Sequence, residues 1–277
     1  MLPRAVGEGF TGRSLRRTPR RAPWAVALIS TVTLAFFVLP LIGIAGRADW
    51  PGLPRDLSQP VALQALRLSL VCSLAAAAVS LVLGTPLAWV LARVDLPAKS
   101  LIRGVVLLPM VLPPVVGGVA LLSAFSLRSP LGSWLHSALG IQLTFSTAGA
   151  VMAATFVAMP FYVITVEAAL RNLDVRLEGA AATLGAGPFT VFRRVTLPLV
   201  APSLAAGAVL AWARALGEFG ATITFAGNIV GRTQTLPLSV YLLLETDADT
   251  AIALSLVLLA VSLVVLVALR SQWLTRA

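Results

Sequence analysis

The sequence predicts an all-α, polytopic membrane protein with six transmembrane helices, and three observations carry that expectation. The 277-residue chain is 58% apolar and 12% charged, with a mean hydropathy of +0.93, whereas soluble domains have about a quarter of their residues charged. Six charge-free runs are each 19 residues or longer, and about 20 helical residues cross a bilayer core. None of the runs alternates with the period of two that a membrane barrel strand needs.

The first run, Ala22–Gly46, follows a basic segment, 1–21. It is too long for the apolar part of a cleaved signal, about 7–15 residues, and so reads as a first transmembrane helix. With its outer loop it occupies 22–60. The remaining runs form a core at 61–270. They are Leu68–Ala92, Gly104–Leu127, Ser137–Val166, Val195–Ala213 and Thr250–Leu269, followed by a short tail, 271–277. Pro109, Pro113 and Pro114, with Gly117 and Gly118, interrupt the third run in its inner half. Broken backbone at membrane depth must be covered by protein or line a cavity. The feature is therefore a packing kink or part of a pathway.

Orientation follows from the basic residues. With 1–21 in the cytoplasm, fifteen of the 21 lie inside and five lie outside, namely Arg47, Arg55, Arg67, Arg128 and Arg232, while Arg214 falls within a span. This asymmetry places both termini in the cytoplasm. It also accounts for the net charge of +10 without nucleic acid, and leaves 1–21 as a basic arm near anionic lipid. The single cysteine, Cys72, lies in an apolar run and excludes an intramolecular disulfide. The single histidine, His136, is expected in an exposed loop, and no Cys/His cluster predicts a metal site.

The most informative connection is the cytoplasmic loop between the fourth and fifth runs, 167–198. Its core reads LEGAAATLGAGPFTVFRRVTLP, Leu177–Pro198. After a turn at Arg171–Arg176, a short helix is expected over Val175–Gly185, ended by the Gly185, Gly187 and Pro188 cluster. A second segment over Phe189–Val195 leads to Leu197-Pro198, with proline in the first turn of the fifth span. Small side chains let another protein approach the backbone closely, so this loop reads as a partner surface.

The loop resembles the EAA loop of ABC importer permeases. Glu178, Ala180 and Ala181 precede Gly185; after nine intervening residues comes Val195, then Leu197-Pro198. Gly179 stands where many permeases have the motif's glutamate, and Glu178 lies one position earlier, as in permeases of the molybdate type. Three further stretches resemble the molybdate branch: LPMVLPPVVGG at 108–118, ALGEFGATITFAGN at 215–228 and TQTLPLSVY at 233–241. Sulfate/thiosulfate permeases are close relatives, and sulfate, thiosulfate or tungstate is the alternative cargo. The resemblance implies a homodimer of six-helix permeases that carries two ABC ATPase subunits on its coupling loops. It also implies an extracytoplasmic molybdate-binding protein that delivers the oxyanion. No cofactor is expected in this chain, since ATP and magnesium would belong to the ATPase. The chain holds no GxxxxGK[ST] motif and is not expected to be an enzyme by itself. It ends seven residues after Arg270, so no C-terminal regulatory domain is expected on this subunit.

Candidate pathway or gate residues are Pro113, Pro114, Arg214, Gly217, Glu218, Gly220 and Thr222. An isolated charge at the bilayer centre costs about 2.5–3.5 kcal/mol on insertion scales. Arg214 and Glu218, four residues apart, are therefore expected to pair. A carboxylate repels a dianion, so the pair reads as structural or gating rather than as a ligand. Membrane hydroxyls such as Ser69, Ser73, Ser80, Thr85, Thr147, Thr155, Thr165, Thr222 and Thr224 are expected mostly to bond their own helices. Two readings compete from other classes. A stand-alone ion-coupled carrier would call for inverted repeats or a proton relay, and a structural anchor would not need broken helices.

Overall fold

The computed structural model describes residues 23–274. The expected basic arm, 1–21, and the end of the C-terminal tail lie outside the described residues. The first helix, α1 (Trp24–Arg47), lies up to Gly46 in a unit of its own, and none of its residues is buried.

The second unit starts at Arg47. It runs α2 (Leu53–Leu57), α3 (Pro60–Arg93), α4 (Lys99–Val111), α5 (Pro114–Phe125), α6 (Pro130–Leu139), α7 (Thr147–Asn172), α8 (Val175–Thr183) and α9 (Pro188–Val191). A π-helical segment (Phe192–Thr196) leads into α10 (Leu197–Leu216), followed by α11 (Gly220–Phe225), α12 (Leu236–Thr246) and α13 (Ala248–Leu274). No strand occurs among the described residues. Among the described residues, five helical stretches are long and apolar enough to span a bilayer: α1, α3, α7, the continuous Pro188–Leu216 and α13. The pair α4–α5, apolar but sharply bent, makes a sixth if the two helices are one broken span rather than a re-entrant loop.

Three expected runs are corrected. Gly104–Leu127 is two helices bent by 118°. Pro113 pushes Leu112 out of the helical region (ψ 137°), and Pro113 itself is extended (ψ 130°). Ser137–Val166 is not one span either. Ser137–Leu139 end α6, Gly140 caps it at φ +67°, and α7 begins only after Ser146, whose hydroxyl accepts from the Gly149 N–H at 3.0 Å. The second run starts earlier than its charges imply, since Pro60 opens α3 at a first-turn position. His136 is exposed on α6 rather than in a loop.

Alanine and glycine set the packing of α3, α7 and α10. Ala76, Ala88, Ala154, Ala158 and Ala211 are buried in one cluster around Tyr162. A methyl group on Gly84 would sit 2.7 Å from the Tyr162 ring, and one on Gly207 would sit 3.2 Å from its other edge. The ring thus fills the space that two absent side chains leave. Tyr162 Oη and Thr85 Oγ1 share a hydrogen bond of 2.6 Å, so the buried hydroxyl is satisfied. A second cluster joins Leu121 of α5, Ala153 and Val157 of α7, and Ala221 and Phe225 of α11.

Candidate functional site

The loop that follows α7 is built from local capping. Asp174 accepts the Arg176 N–H at 2.9 Å and starts α8. Arg171 and Asn172 belong to α7, so the expected turn shrinks to Leu173–Asp174. Helix α8 ends at Thr183, two residues before the expected Gly185. The Gly185 N–H reaches the Ala182 carbonyl at 3.0 Å, and the Ala186 N–H reaches Ala181 at 3.1 Å. This is a Schellman closure, and it requires the left-handed φ of +86° that Gly185 adopts.

No residue of α8 is buried, and Leu184 and Phe189 are 88% and 73% exposed. Ala180 and Gly185 are exposed as well, Ala181 is half-buried, and nothing lies within 4 Å of a methyl placed on Gly179 or Gly185. Glu178 is different. Its Oε1 accepts from Thr196 Oγ1 at 2.8 Å and faces Arg93 Nη2 at 3.3 Å. The structure thus turns toward the chain's own helices the carboxylate that the sequence offered to a partner. Val195 and Leu197 are half-buried and Pro198 is exposed. Pro198 has no N–H to donate to Arg194, and the ladder slips: the Leu197 N–H bonds Phe192 one residue further back. Such π-bulges recur at functional sites. Beside them lies a cavity of about 370 Å³, lined by Trp89, Glu178, Ala182, Pro188, Phe192 and Thr196.

The candidate pathway residues converge. A methyl on Gly220 would sit 2.8 Å from Pro114 Cβ and 3.1 Å from the Val115 nitrogen. One on Gly118 would meet Thr224 Cβ at 2.7 Å and the Ala221 carbonyl at 2.9 Å. The break after Pro113 and the GEFGAT segment are therefore two sides of one backbone contact, between α5 and α11. Arg214 Nη2 lies 2.9 Å from Glu218 Oε2, and Glu218 Oε1 accepts the Ala221 N–H at 2.8 Å. Glu218 is 2% exposed, while the Arg214 side chain is 26% exposed. The pair is not within one helix, since α10 stops at Leu216 and Gly217 caps it. Glu218 occupies the break and holds the start of α11. Thr222 is buried, and its carbonyl accepts from the Ala226 and Gly227 N–H groups.

Most membrane hydroxyls serve their own helix: Ser80, Thr85, Thr155, Thr165 and Thr224 each donate to the carbonyl four residues back. Others join elements. Ser69 accepts the Leu236 N–H at 2.6 Å, Ser73 accepts Trp212 Nε1–H at 3.0 Å, and Thr147 donates to the Arg232 carbonyl at 2.8 Å.

The sequence reading missed two charged groups. Glu167, expected in the loop, is buried near the end of α7 and ion-paired to Arg103 of α4 and, at 3.1 Å, to Arg171. The spacing of Glu167 and Arg171 was the available signal. Arg93, one of the fifteen inner basic residues, ends α3 and holds Glu178. Among the described residues no group of His, Cys, Asp and Glu could hold a metal ion.

Comparison with known proteins supplies the context. The chain is 47% identical over 247 residues to the molybdenum transport system permease protein ModB of Mycobacterium tuberculosis, covering 89% of this chain and 93% of that protein. To ModB of Escherichia coli K12 it is 45% identical, covering 77% and 93%. To the sulfate transport system permease protein CysT of Escherichia coli K12 it is 35% identical, covering 87% and 86%. A solved bacterial ABC transporter that imports the acidic polysaccharide alginate has the same fold, with a TM-score of 0.70 over 90% of this chain and 93% of that one, at 19% identity. Residues 84–276 match the family described as binding-protein-dependent transport system inner membrane component. The buried glycine contact, the exposed loop and these likenesses agree, and the chain belongs to that family of polytopic importer permeases.

Proposed function

We propose that this chain is the permease subunit of an ATP-driven oxyanion importer whose cargo is molybdate. One observation carries the choice of cargo: identity is 45–47% to the two molybdenum permeases and 35% to the sulfate permease. In this reading the chain pairs with a second copy, carries an ABC ATPase subunit on α8, and receives the anion from an extracytoplasmic binding protein. A solved relative of the fold, the alginate transporter, is in complex with its periplasmic protein, which supports the last assignment. Both termini face the cytoplasm, as the basic residues imply.

The chain performs no covalent chemistry; ATP and magnesium are held by the ATPase. Closure of the ATPase moves α8, and the pathway turns outward to take the anion, then resets inward. Leu184 and Phe189 supply apolar contact, while Gly185 lets the partner come close to the backbone. Weak neutral donors suit a conduit, because tight binding would trap the ion.

The test is uptake into vesicles that hold this chain with its ATPase and binding protein, with molybdate and sulfate in competition. ATP-dependent molybdate uptake that a tenfold excess of sulfate barely reduces supports the reading. Equal competition by sulfate would reassign the cargo, and uptake without ATP would move the chain to the secondary carriers.

A further inference from the structure

We infer that Arg93 is a positioning residue for energy coupling: it is the joint through which movement of α8 reaches the membrane helices. The inference rests on the function proposed above.

Helix α8 buries no residue, so it has little apolar grip on its own chain. Among the described residues its charged hold is Glu178, which bridges two helix ends. One is Arg93, the last residue of α3; the other is Thr196, the last residue of the π-helical segment that runs into α10. Helices α3 and α10 are also the two that clasp Tyr162 of α7. A displacement of α8 is thereby handed to both flanks of the main helical block.

Three features separate this contact from an ordinary surface ion pair. First, it is shielded: the Arg93 and Glu178 side chains are 14% and 20% exposed, and Thr196 is buried. Exposed pairs contribute little, whereas shielded ones hold their geometry. Second, Arg93 stands at the C-terminus of a 34-residue helix, where the helix dipole favours a cation, so its charge is held in place when α8 moves. Third, Arg93 Nε is buried without a hydrogen-bond partner. A guanidinium gripping a carboxylate through one nitrogen, with a second donor idle beside it, has a better arrangement within reach. A rotation of Glu178 onto Nε would make the pair bidentate. Such a rotation would give the contact the second setting that a moving joint needs.

The experiment measures molybdate transported per ATP hydrolysed by the full complex in vesicles, together with copurification of the ATPase. Arg93→Gln should keep the ATPase bound and hydrolysing, while transport per ATP falls roughly tenfold. Arg93→Lys keeps the charge without the fork and should recover part of the loss. The double exchange, Arg93→Glu with Glu178→Arg, should recover more transport per ATP than either single change. It also serves as the second variant if Arg93→Gln gives no folded protein. A wild-type ratio in Arg93→Gln overturns the proposal. So does joint loss of yield and ATPase binding that the double exchange leaves unrepaired, because that marks a purely structural tie. If the wild-type complex itself shows no ATP-driven molybdate uptake in these vesicles, the failure lies in the proposed function and the coupling role falls with it.

Discussion

Helices α8 and α11 are both short, rich in small residues and bounded by glycine. In α11, GATITF, residues Gly220, Ala221, Thr222 and Phe225 are buried. In α8, VRLEGAAAT, nothing is. At Gly220 an added methyl meets Pro114 at 2.8 Å, whereas at Gly179 it meets nothing. Small residues therefore have two meanings in this chain. In α11 they admit a neighbour from the same chain. In α8 the neighbour they would admit is not part of the chain, which is why the proposed ATPase is assigned there.

The strongest way to break this comparison is to enlarge both glycines. Gly220→Val or Gly118→Val should force α5 and α11 apart and cost about 3 kcal/mol or more, at or above the top of the usual range for overpacking. Loss of monodisperse protein on detergent chromatography checks this. Gly179→Ala should leave yield unchanged or raise it, since alanine favours a helix by about 1 kcal/mol. Equal damage at both positions would remove the distinction.

Next in size is the ion pair beside α11. Glu218→Gln and Arg214→Gln each strand a charge in a poor solvent and should lower the folded yield, by about 2–3 kcal/mol if measured as stability. The double change should recover part of that. A thermal-shift double-mutant cycle reads the coupling, and simple addition of the two losses would dissolve the pair. At the closure that ends α8 the matching change is Gly185→Val. It places a β-branched residue at φ +86° and should cost about 1–2 kcal/mol locally. It should leave membrane yield intact and weaken copurification with the ATPase.

The smallest effect concerns Asp247, which lies in neither short helix. The hydroxyl and N–H of Thr250 hold its carboxylate below the usual range, the hydroxyl having the larger share, and Gln59 adds a third contact. A carboxylate depressed in the folded state stabilises it above the ordinary pKa, about 3.9. That contribution fades as pH falls through the folded value. Asp247→Asn should therefore lower thermal stability slightly at neutral pH, and the gap to wild type should close as pH falls through the folded value.

Legibility in the sequence followed the physics of each signal. Absence of charge reports compatibility with lipid, so the apolar runs gave the membrane class and, loosely, the number of spans, five or up to six. It says nothing about where a helix stops. Ser137–Val166 looked continuous because the caps at Gly140 and Ser146 carry no charge. The bend at Pro113 was readable, since two successive prolines remove donors and push Leu112 out of the helix. That Gly118 packs on Ala221 and Thr224, and Gly220 on Pro114, was not readable, because about a hundred residues separate the two stretches. The loop spacing located Glu178, but its side chain could face a partner or its own helices. Only the position of Arg93, 85 residues earlier, decided between them.

The seat of Tyr162 bears on how such a molecule changes shape. With Gly84 on one side of its ring and Gly207 on the other, there is no slack for α3 and α10 to slide along α7 without a collision. Interiors packed in this way shift between discrete arrangements instead of deforming continuously. The three helices are then expected to travel as a rigid body, like a single lever. Its fulcrum is expected where the backbone ladder is already interrupted, at Leu112–Pro113 and at Gly217–Phe219. Spin labels on α3 and α10 should keep one fixed separation throughout the cycle, and labels on either side of those interruptions should report the stroke.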